Sequence, residues 1–173
     1  ELAHKILSFL TELVIEFSAL QIDKGAPMIG AGDAAASLIS QEMYEIFALP
    51  YEQKVCAAIH AKNAWVKLHI CGNTSHLLES MVKSGADLFN VDHLVNLSNA
   101  KFVYDKYNLC YKGNMDPVAD ILNAQPYECE MKALECIKIA NGSCYMLSAG
   151  CEIPAETNDE VFHAFCNTPE KMT

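Results

Sequence analysis

The 173-residue sequence contains no arginine: its twelve basic side chains are all lysines, against 22 aspartates and glutamates. The formal net charge of −10 repels a phosphate backbone, so we expect no binding to nucleic acid. Without arginine the chain also lacks the planar guanidinium group that binds carboxylates and phosphates through paired hydrogen bonds. Taken by itself, the acidity is most simply a solubilising surface.

Three further signals are missing. No apolar run is long enough to cross a membrane, and no secretory signal precedes the amphipathic pattern that begins at residue 2. No Gly-x-Gly-x-x-Gly follows a predicted strand, so the dinucleotide-binding fingerprint is absent. We therefore predict a cytoplasmic protein that has no membrane segment. Because the sequence starts at Glu1 and not at a methionine, we expect it to be part of a longer chain.

The eight cysteines do not have the spacing of a disulfide framework. Such frameworks belong to small secreted domains, whereas 51% of these residues are hydrophobic and can form a core without cross-links. Several cysteines occupy predicted core positions, namely Cys56, Cys110, Cys136 and Cys144. We expect most of the cysteines to be unpaired in a reducing cytoplasm, a load of free thiols that an anaerobic organism tolerates best.

Hydrophobic periodicity predicts strictly alternating helices and strands. Helices are expected over residues 2–24, over 40–62 with a break at Pro50, and in four later segments. Five short strands are expected near residues 28, 65, 88, 109 and 144. This alternation implies right-handed βαβ crossovers and a parallel sheet, in a single α/β domain over residues 1–173. Both an open sheet and part of an eight-stranded barrel are compatible with this order.

Polar or metal-binding residues follow each predicted strand. In chain order they are Asp33, then His69 and Cys71, then Asp92, then Asn114 and Asp116, then Cys151. A barrel gathers the carboxyl ends of its strands around one opening, where such residues would converge. Singly, each aspartate or asparagine is equally typical of a turn or a helix cap. Their recurrence at every strand end favours the barrel.

The residues His69, Cys71 and Cys151 form the most specific pattern. Two thiolates and one imidazole suit Zn²⁺, and three protein ligands leave the fourth position that distinguishes a catalytic zinc from a structural one. The alternative is that the cysteines are small buried hydrophobes and the histidine a core residue. The positions of all three residues at strand ends favour a metal site.

Three segments together resemble the uroporphyrinogen decarboxylase superfamily. They are Leu-His-Ile-Cys-Gly-Asn-Thr at 68–74, Gly-Asn-Met-Asp-Pro at 113–117 and Ser-Ala-Gly-Cys-Glu-Ile-Pro at 148–154. Within the superfamily, the His-x-Cys motif with a distant cysteine is similar to the zinc-containing corrinoid methyltransferases. The resemblance covers nearly the whole chain.

The resemblance implies a fold, a reaction and a set of partners. The fold is the C-terminal part of a TIM (β/α)₈ barrel, with about five βα units and parallel strands. Zinc would be bound by His69, Cys71 and Cys151, and Asp33, Asp92, Asn114 and Asp116 would line the catalytic opening. The reaction would move a methyl group between a corrinoid, either methylcobalamin or a corrinoid protein, and a thiol or O-methyl substrate. Neither the direction of transfer nor the methyl donor is specified.

Two other functions remain open. The first is a uroporphyrinogen decarboxylase-like tetrapyrrole enzyme, which the absence of arginine and the presence of the thiols disfavour. The second is a non-catalytic zinc-binding fragment of the fold. Because the leading barrel strands are absent, we expect the missing N-terminal half, or self-association, to cover the exposed sheet edges.

Overall fold

The computed structural model describes residues 1–172. Its strands are β1 (Met28–Gly32), β2 (Trp65–His69), β3 (Leu88–Asn90), β4 (Cys110–Met115) and β5 (Tyr145–Ala149). Its helices are α1 (Leu2–Asp23), α2 (Gln41–Phe47), α3 (Leu49–His60), α4 (Leu78–Met81), α5 (Leu97–Lys106), α6 (Pro126–Ile139) and α7 (Asp159–Asn167). Short 3₁₀ turns cover Ala34–Leu38, Val82–Ser84 and Pro169–Met172, and a π-helical segment covers Pro117–Leu122.

The five strands form one parallel sheet in the order β1-β2-β3-β4-β5. In the register of β1 and β2, Gly32 lies opposite His69, and in that of β4 and β5, Met115 lies opposite Ala149. Sequential neighbours in a parallel sheet require the helical crossovers that the alternating pattern predicts. The predicted parallel α/β fold is therefore confirmed.

The chain divides into two compact units. The first contains residues 1–70 and 76–89, and its core is formed by fully buried side chains such as Tyr44, Ile59 and Leu68. Helices α2 and α3 are separate because Ala48 ends one and precedes the other, with Pro50 in the first turn of α3. The predicted break at Pro50 is thus present.

The second unit contains residues 71–75 and those from residue 90 onward. Tyr104, Tyr111 and Met115 are buried at its centre. Side-chain oxygens cap two of its helices: Asn96 accepts hydrogen bonds at the start of α5, and Asn158 accepts one at the start of α7.

Two of the eight cysteines are paired, so the expectation that most are unpaired is met. Cys110 and Cys144 are joined by a disulfide, with their Cα atoms 4.7 Å apart. They are the residues just before the paired Tyr111 and Tyr145 in the register of β4 and β5, so the parallel pairing brings the two thiols together. The other six cysteines form no disulfide.

Of the helices in residues 1–172, none combines sufficient length with sufficient apolar character to cross a membrane.

Candidate metal centre

The first two candidate ligands lie at the end of a strand and just beyond it. His69 ends β2, and its carbonyl oxygen accepts a hydrogen bond of 3.0 Å from the backbone N–H of Asp33. Cys71 follows two residues later and is half-buried. Gly72, which comes next, has a φ of +91°, a conformation that glycine adopts readily. The chain therefore bends directly after Cys71.

The third candidate ligand follows β5. Gly150 is fully buried and donates a backbone hydrogen bond of 2.8 Å to the carbonyl of Met115. A Cβ atom at position 150 would lie only 2.3 Å from the backbone nitrogen of His93. Only glycine allows this close approach, which places Cys151 beside the residues that follow β3.

The structure brings the three candidate ligand side chains together. The Sγ atoms of Cys71 and Cys151 are 3.9 Å apart. Together with a ring nitrogen of His69, these sulfurs lie within 4.8 Å of one another. Two thiolates bound to one tetrahedral zinc at about 2.3 Å are about 3.8 Å apart. The separation of the two sulfurs and the donor types therefore suit Zn²⁺.

Burial raises the pKa of the Cys71 thiol, and the adjacent Cys151 and Asp92 raise it further. Two thiolates at this separation repel each other, and a divalent cation is the group that stabilises them as a pair.

Asp92 supports the turn that carries Cys71. Its carboxylate is buried, with Oδ2 accepting a hydrogen bond of 2.8 Å from Gly72 N–H and Oδ1 accepting one of 2.9 Å from Leu94 N–H. Asn114 Nδ2 donates to the carbonyl oxygens of Asp92 and Val95, at 3.1 and 2.6 Å. Through these contacts Asp92 holds the backbone that follows Cys71, and Asn114 holds the backbone around Asp92.

A second histidine, His93, lies at the site and was not predicted from the sequence. Its Nδ1 is 3.2 Å from Asp92 Oδ1, without the alignment of a hydrogen bond, and its Nε2 is 3.6 Å from Asp116 Oδ2. His93 thus lies between two carboxylates, within 4 Å of each. The available signal was its position directly after Asp92, at a strand end.

Asp116 has a structural role in addition to its place beside His93. Its Oδ1 accepts hydrogen bonds from the backbone of Val118 and Ala119, which caps the π-helical segment. Burial acts to raise the pKa of Asp116, but these two donors and His93 outweigh it, so the pKa is lowered. Asp116 is thus held as a carboxylate.

Asp33 is located in a different environment from Asp116 and Asn114. It lines a cavity of about 430 Å³ in the first unit, together with Glu52. Burial raises the pKa of Asp33, although a hydrogen bond from the Ala36 backbone acts to lower it. Glu52 could not be predicted from the sequence either, since nothing in its local sequence distinguishes it from an exposed helix glutamate.

The fold and the thiol–imidazole cluster together define an α/β chain of the (β/α)₈-barrel type with a candidate metal centre after its strands. A family model described as uroporphyrinogen decarboxylase (URO-D) matches residues 1–172. The chain therefore belongs to the uroporphyrinogen decarboxylase family.

Individual relatives point to two activities within this family. The chain is 32% identical over 159 residues to a methylcobamide:CoM methyltransferase, MtbA, of Methanosarcina acetivorans, covering 91% of this chain and 45% of the relative. It is 31% identical over 176 residues to a uroporphyrinogen decarboxylase of Trichodesmium erythraeum, covering all of this chain and 48% of the relative. The chain thus spans about half the length of the curated relatives that it matches.

A solved structure shares the fold. A methyltransferase from Methanosarcina mazei superposes with a TM-score of 0.84 at 24% identity, over 94% of this chain and 47% of that one. At this identity the likeness concerns the fold alone, and it confirms the predicted partial barrel with parallel strands.

Proposed function

We propose that this chain is part of a zinc-dependent methyltransferase that moves a methyl group between a corrinoid and a thiol or O-methyl substrate. The observation that carries the proposal is the pair of sulfurs 3.9 Å apart with an imidazole nitrogen within 4.8 Å. The likeness of the chain to two methyltransferases, at 32% identity to each, adds support. The same relatives support an enzymatic role at the level of the family.

His69, Cys71 and Cys151 would hold the zinc ion. When bound there, zinc would supply Lewis acidity, which lowers the pKa of a substrate thiol from its usual value of about 8.5. A catalytic zinc keeps one position for substrate, and the three donors satisfy that requirement. The two cysteine ligands would make the site electron-rich.

The other strand-end residues would position and complete the site. Asp92 and Asn114 would hold the Cys71 turn in place through the backbone contacts described above. Asp116 and His93 form an ionisable pair that could accept the proton lost by a substrate thiol. Asp33 is proposed as a further catalytic residue at the end of β1.

The decarboxylase function has less support from the residues. Tetrapyrrole substrates carry several carboxylates, for which arginine is the preferred partner, and this chain has none. A soft donor set with two thiols instead favours metal-assisted chemistry at sulfur.

The proposed partners follow from the proposed reaction. A corrinoid is bulky, so a corrinoid-carrying protein would deliver its cobalt to the open ends of the strands. We further propose that residues 1–173 are a partial barrel domain, the C-terminal half of the fold, that works in the cytoplasm with the remaining half.

The test uses a chain that carries these residues together with the remaining length of the family fold. It is supplied with methylcobalamin and a panel of small thiols, and the change of the cobalt oxidation state is followed by absorbance. We expect turnover that Cys71→Ala abolishes and that Cys166→Ala, at an exposed free thiol, leaves unchanged. If no corrinoid or corrinoid protein supports transfer in either direction, the non-catalytic zinc-binding function replaces this proposal.

A further inference from the structure

The disulfide between Cys110 and Cys144 is open to solvent. Cys110 is the first residue of β4 and is half-buried, whereas Cys144 directly precedes β5 and is exposed. Of the eight cysteines, Cys144 and Cys166 are the exposed ones, and Cys166 forms no disulfide. Exposed disulfides exchange with thiols more readily than buried ones, because exchange begins when a thiolate reaches one of the two sulfurs.

The two sulfurs of this bond differ in access. Cys110 lies between Leu109, which is half-buried, and Tyr111, which is buried. The residues two and three positions before Cys144, in contrast, form an exposed turn after α6. An incoming thiolate therefore reaches the sulfur of Cys144 more easily than that of Cys110.

The charges near this turn favour an uncharged reactant. The chain as a whole carries a net charge of −10, which repels anionic thiols. Lys101 Nζ donates a hydrogen bond of 2.6 Å to Ser143 Oγ, next to Cys144, but it also donates one of 2.9 Å to Asp105 Oδ2. Because its charge is paired in this way, Lys101 does little to attract an anion.

The pairing of β4 with β5 holds the two cysteines side by side independently of the bond. Tyr111 N–H donates to the carbonyl oxygen of Cys144 at 3.0 Å, and the register continues as far as Met115 opposite Ala149. After reduction the two thiols would therefore stay adjacent. An intramolecular attack can then form the bond again at a high effective concentration.

The buried thiols of the chain are protected from the same chemistry. Burial raises the pKa of Cys56 to about 12 and that of Cys129 to about 11, and it also raises the pKa of Cys136. Thiols that are both buried and protonated react slowly, because the thiolate is the reactive form. Exchange is therefore directed to the exposed bond.

We propose that Cys110 and Cys144 form a reversible redox pair that exchanges with compact, uncharged thiols, and that its reduction loosens the pairing of β4 with β5. An incoming thiolate bonds to Cys144 Sγ, the bond between the protein sulfurs breaks, and Cys110 leaves as a thiolate that takes up a proton. A second small thiolate attacks the small-thiol sulfur of the mixed disulfide and releases Cys144, which also takes up a proton. Two small thiols are thus oxidised to one small disulfide, and the protein disulfide is reduced to two thiols.

The loosening follows from what remains after reduction. The covalent link at the amino end of the two strands is lost, and backbone hydrogen bonds alone hold β5 to β4. They include the bond from Tyr111 N–H at one end and, at the other, the bond of 2.8 Å from Gly150 N–H to the carbonyl oxygen of Met115. Local separation of the two strands should then become more frequent.

The first measurement is exchange on the longer chain that is used in the methyltransferase test, with Cys166→Ser to remove the other exposed thiol. The folded protein is incubated in graded mixtures of 2-mercaptoethanol and its disulfide, quenched with acid, alkylated differentially and mapped by mass spectrometry. We expect Cys110 and Cys144 to change oxidation state together, with the same midpoint from the reduced and from the oxidised side. The rate of reduction should be within about tenfold of the rate in urea, since the bond is already accessible in the folded state.

A matched anionic thiol tests the chemical class of the reactant. At equal thiolate concentration and low salt, 3-mercaptopropionate should reduce the bond at least about threefold more slowly than 2-mercaptoethanol, and added salt should narrow this difference. A faster reaction with the anionic thiol would contradict the preference for an uncharged reactant.

Two single-cysteine variants test which sulfur is attacked. With the disulfide of 2-mercaptoethanol, Cys144 in Cys110→Ser should form its mixed disulfide at least about tenfold faster than Cys110 in Cys144→Ser. Circular dichroism checks that both variants are folded. In the unsubstituted pair, the mixed disulfide trapped by rapid acid quenching should be on Cys144. A mixed disulfide that is trapped on Cys110 instead would overturn the assignment of the attacked sulfur.

Hydrogen exchange tests the loosening. In the reduced protein the amides of β4 and β5, including that of Tyr111, should exchange at least about tenfold faster than in the oxidised protein, while those of α3 should not change. Exchange that is equal in both states would overturn the structural effect. A bond that is reduced only when the chain unfolds would overturn the redox pair itself. The proposal does not rest on the methyltransferase function, and zinc content measured on the same samples reports on the metal centre separately.

Discussion

The sulfur atoms of Cys71 and Cys151 lie 3.9 Å apart, although 80 residues separate them in the chain. Neither residue is within a strand: each follows one, Cys71 after β2 and Cys151 after β5. Their proximity depends on the turn at Gly72 and on the close approach of Gly150 to His93. Such a pair, with His69 beside it, is typical of a metal centre.

The first prediction concerns metal content. Protein purified without added metal should contain about one zinc per chain, because the two sulfurs lie at the separation that tetrahedral zinc requires and an imidazole nitrogen lies close to them. Cys151→Ala leaves two donors and should lose most of the zinc on dialysis, as measured by elemental analysis. Cys166→Ala is the matched control and should retain it. A Cys151→Ala protein that keeps a full equivalent would contradict the ligand assignment.

The second prediction concerns Gly150. A Cβ atom at this position would overlap the backbone of His93, so Gly150→Ala should lower the free energy of unfolding by about 2 kcal/mol. It should also displace Cys151 and weaken zinc binding at least tenfold against a competing chelator. Chemical denaturation and chelator titration measure the two effects.

Gly32→Ala is the control for this prediction. Gly32 is the last residue of β1, a position comparable to that of Gly150 directly after β5. A Cβ atom at Gly32 meets no atom within 4 Å. Its stability should change by no more than about 0.5 kcal/mol. Equal effects of the two substitutions would show that the contact with His93 is not the cause.

The third prediction is a pH dependence caused by Glu52. Burial raises the pKa of the Glu52 carboxyl group from 4.5 to about 7; the Tyr44 hydrogen bond opposes this rise and the charge of Asp33 adds to it. The Cys56 thiol, another titratable neighbour, has a pKa raised to about 12 and stays neutral. Between about pH 4.5 and pH 7, the folded state therefore keeps a proton on Glu52 that the unfolded state loses. The resulting penalty is absent below about pH 4.5, grows as the pH rises to about 7, and is constant above that.

The measurement compares the wild-type chain with Glu52→Gln by urea denaturation at pH 5 and pH 8. The free energy of unfolding of the variant, relative to the wild type, should be higher at pH 8 than at pH 5 by a difference on the order of 3 kcal/mol. Carboxyl groups other than Asp33, whose charge acts on Glu52, contribute equally to both proteins and cancel. A relative stability that does not change with pH would show that Glu52 is ionised normally.

Much of the fold and part of the candidate site could be predicted from the sequence. The alternation of periodic segments predicted the five strands and their parallel order, because βαβ connections allow few topologies. The same strand ends predicted where His69, Cys71 and Cys151 lie, while their role as ligands stays a prediction.

What could not be predicted depends on the pairing of particular residues in space. The Cys110–Cys144 disulfide requires the register of β4 and β5, which periodicity does not specify. The burial of Glu52 depends on how α3 packs, and its local sequence resembles that of any exposed helix. In α1 the pattern predicted a helix, but not that Thr11 and Ser18 would be buried while large apolar side chains of the helix are exposed.

The last prediction concerns the disulfide. Cys110 and Cys144 close a loop of 34 residues, which on loop-entropy grounds stabilises the folded state by about 3–4 kcal/mol. Cys144→Ser should therefore unfold at a lower temperature than the wild type without reductant, and at nearly the same temperature with a phosphine reductant. Cys166→Ser, at an exposed free thiol, should match the wild type under both conditions. Thiol labelling of the denatured, unreduced wild type should modify six cysteines. Eight modified cysteines would show that the cross-link is absent in solution. In that case Cys144→Ser and Cys166→Ser would be equally stable.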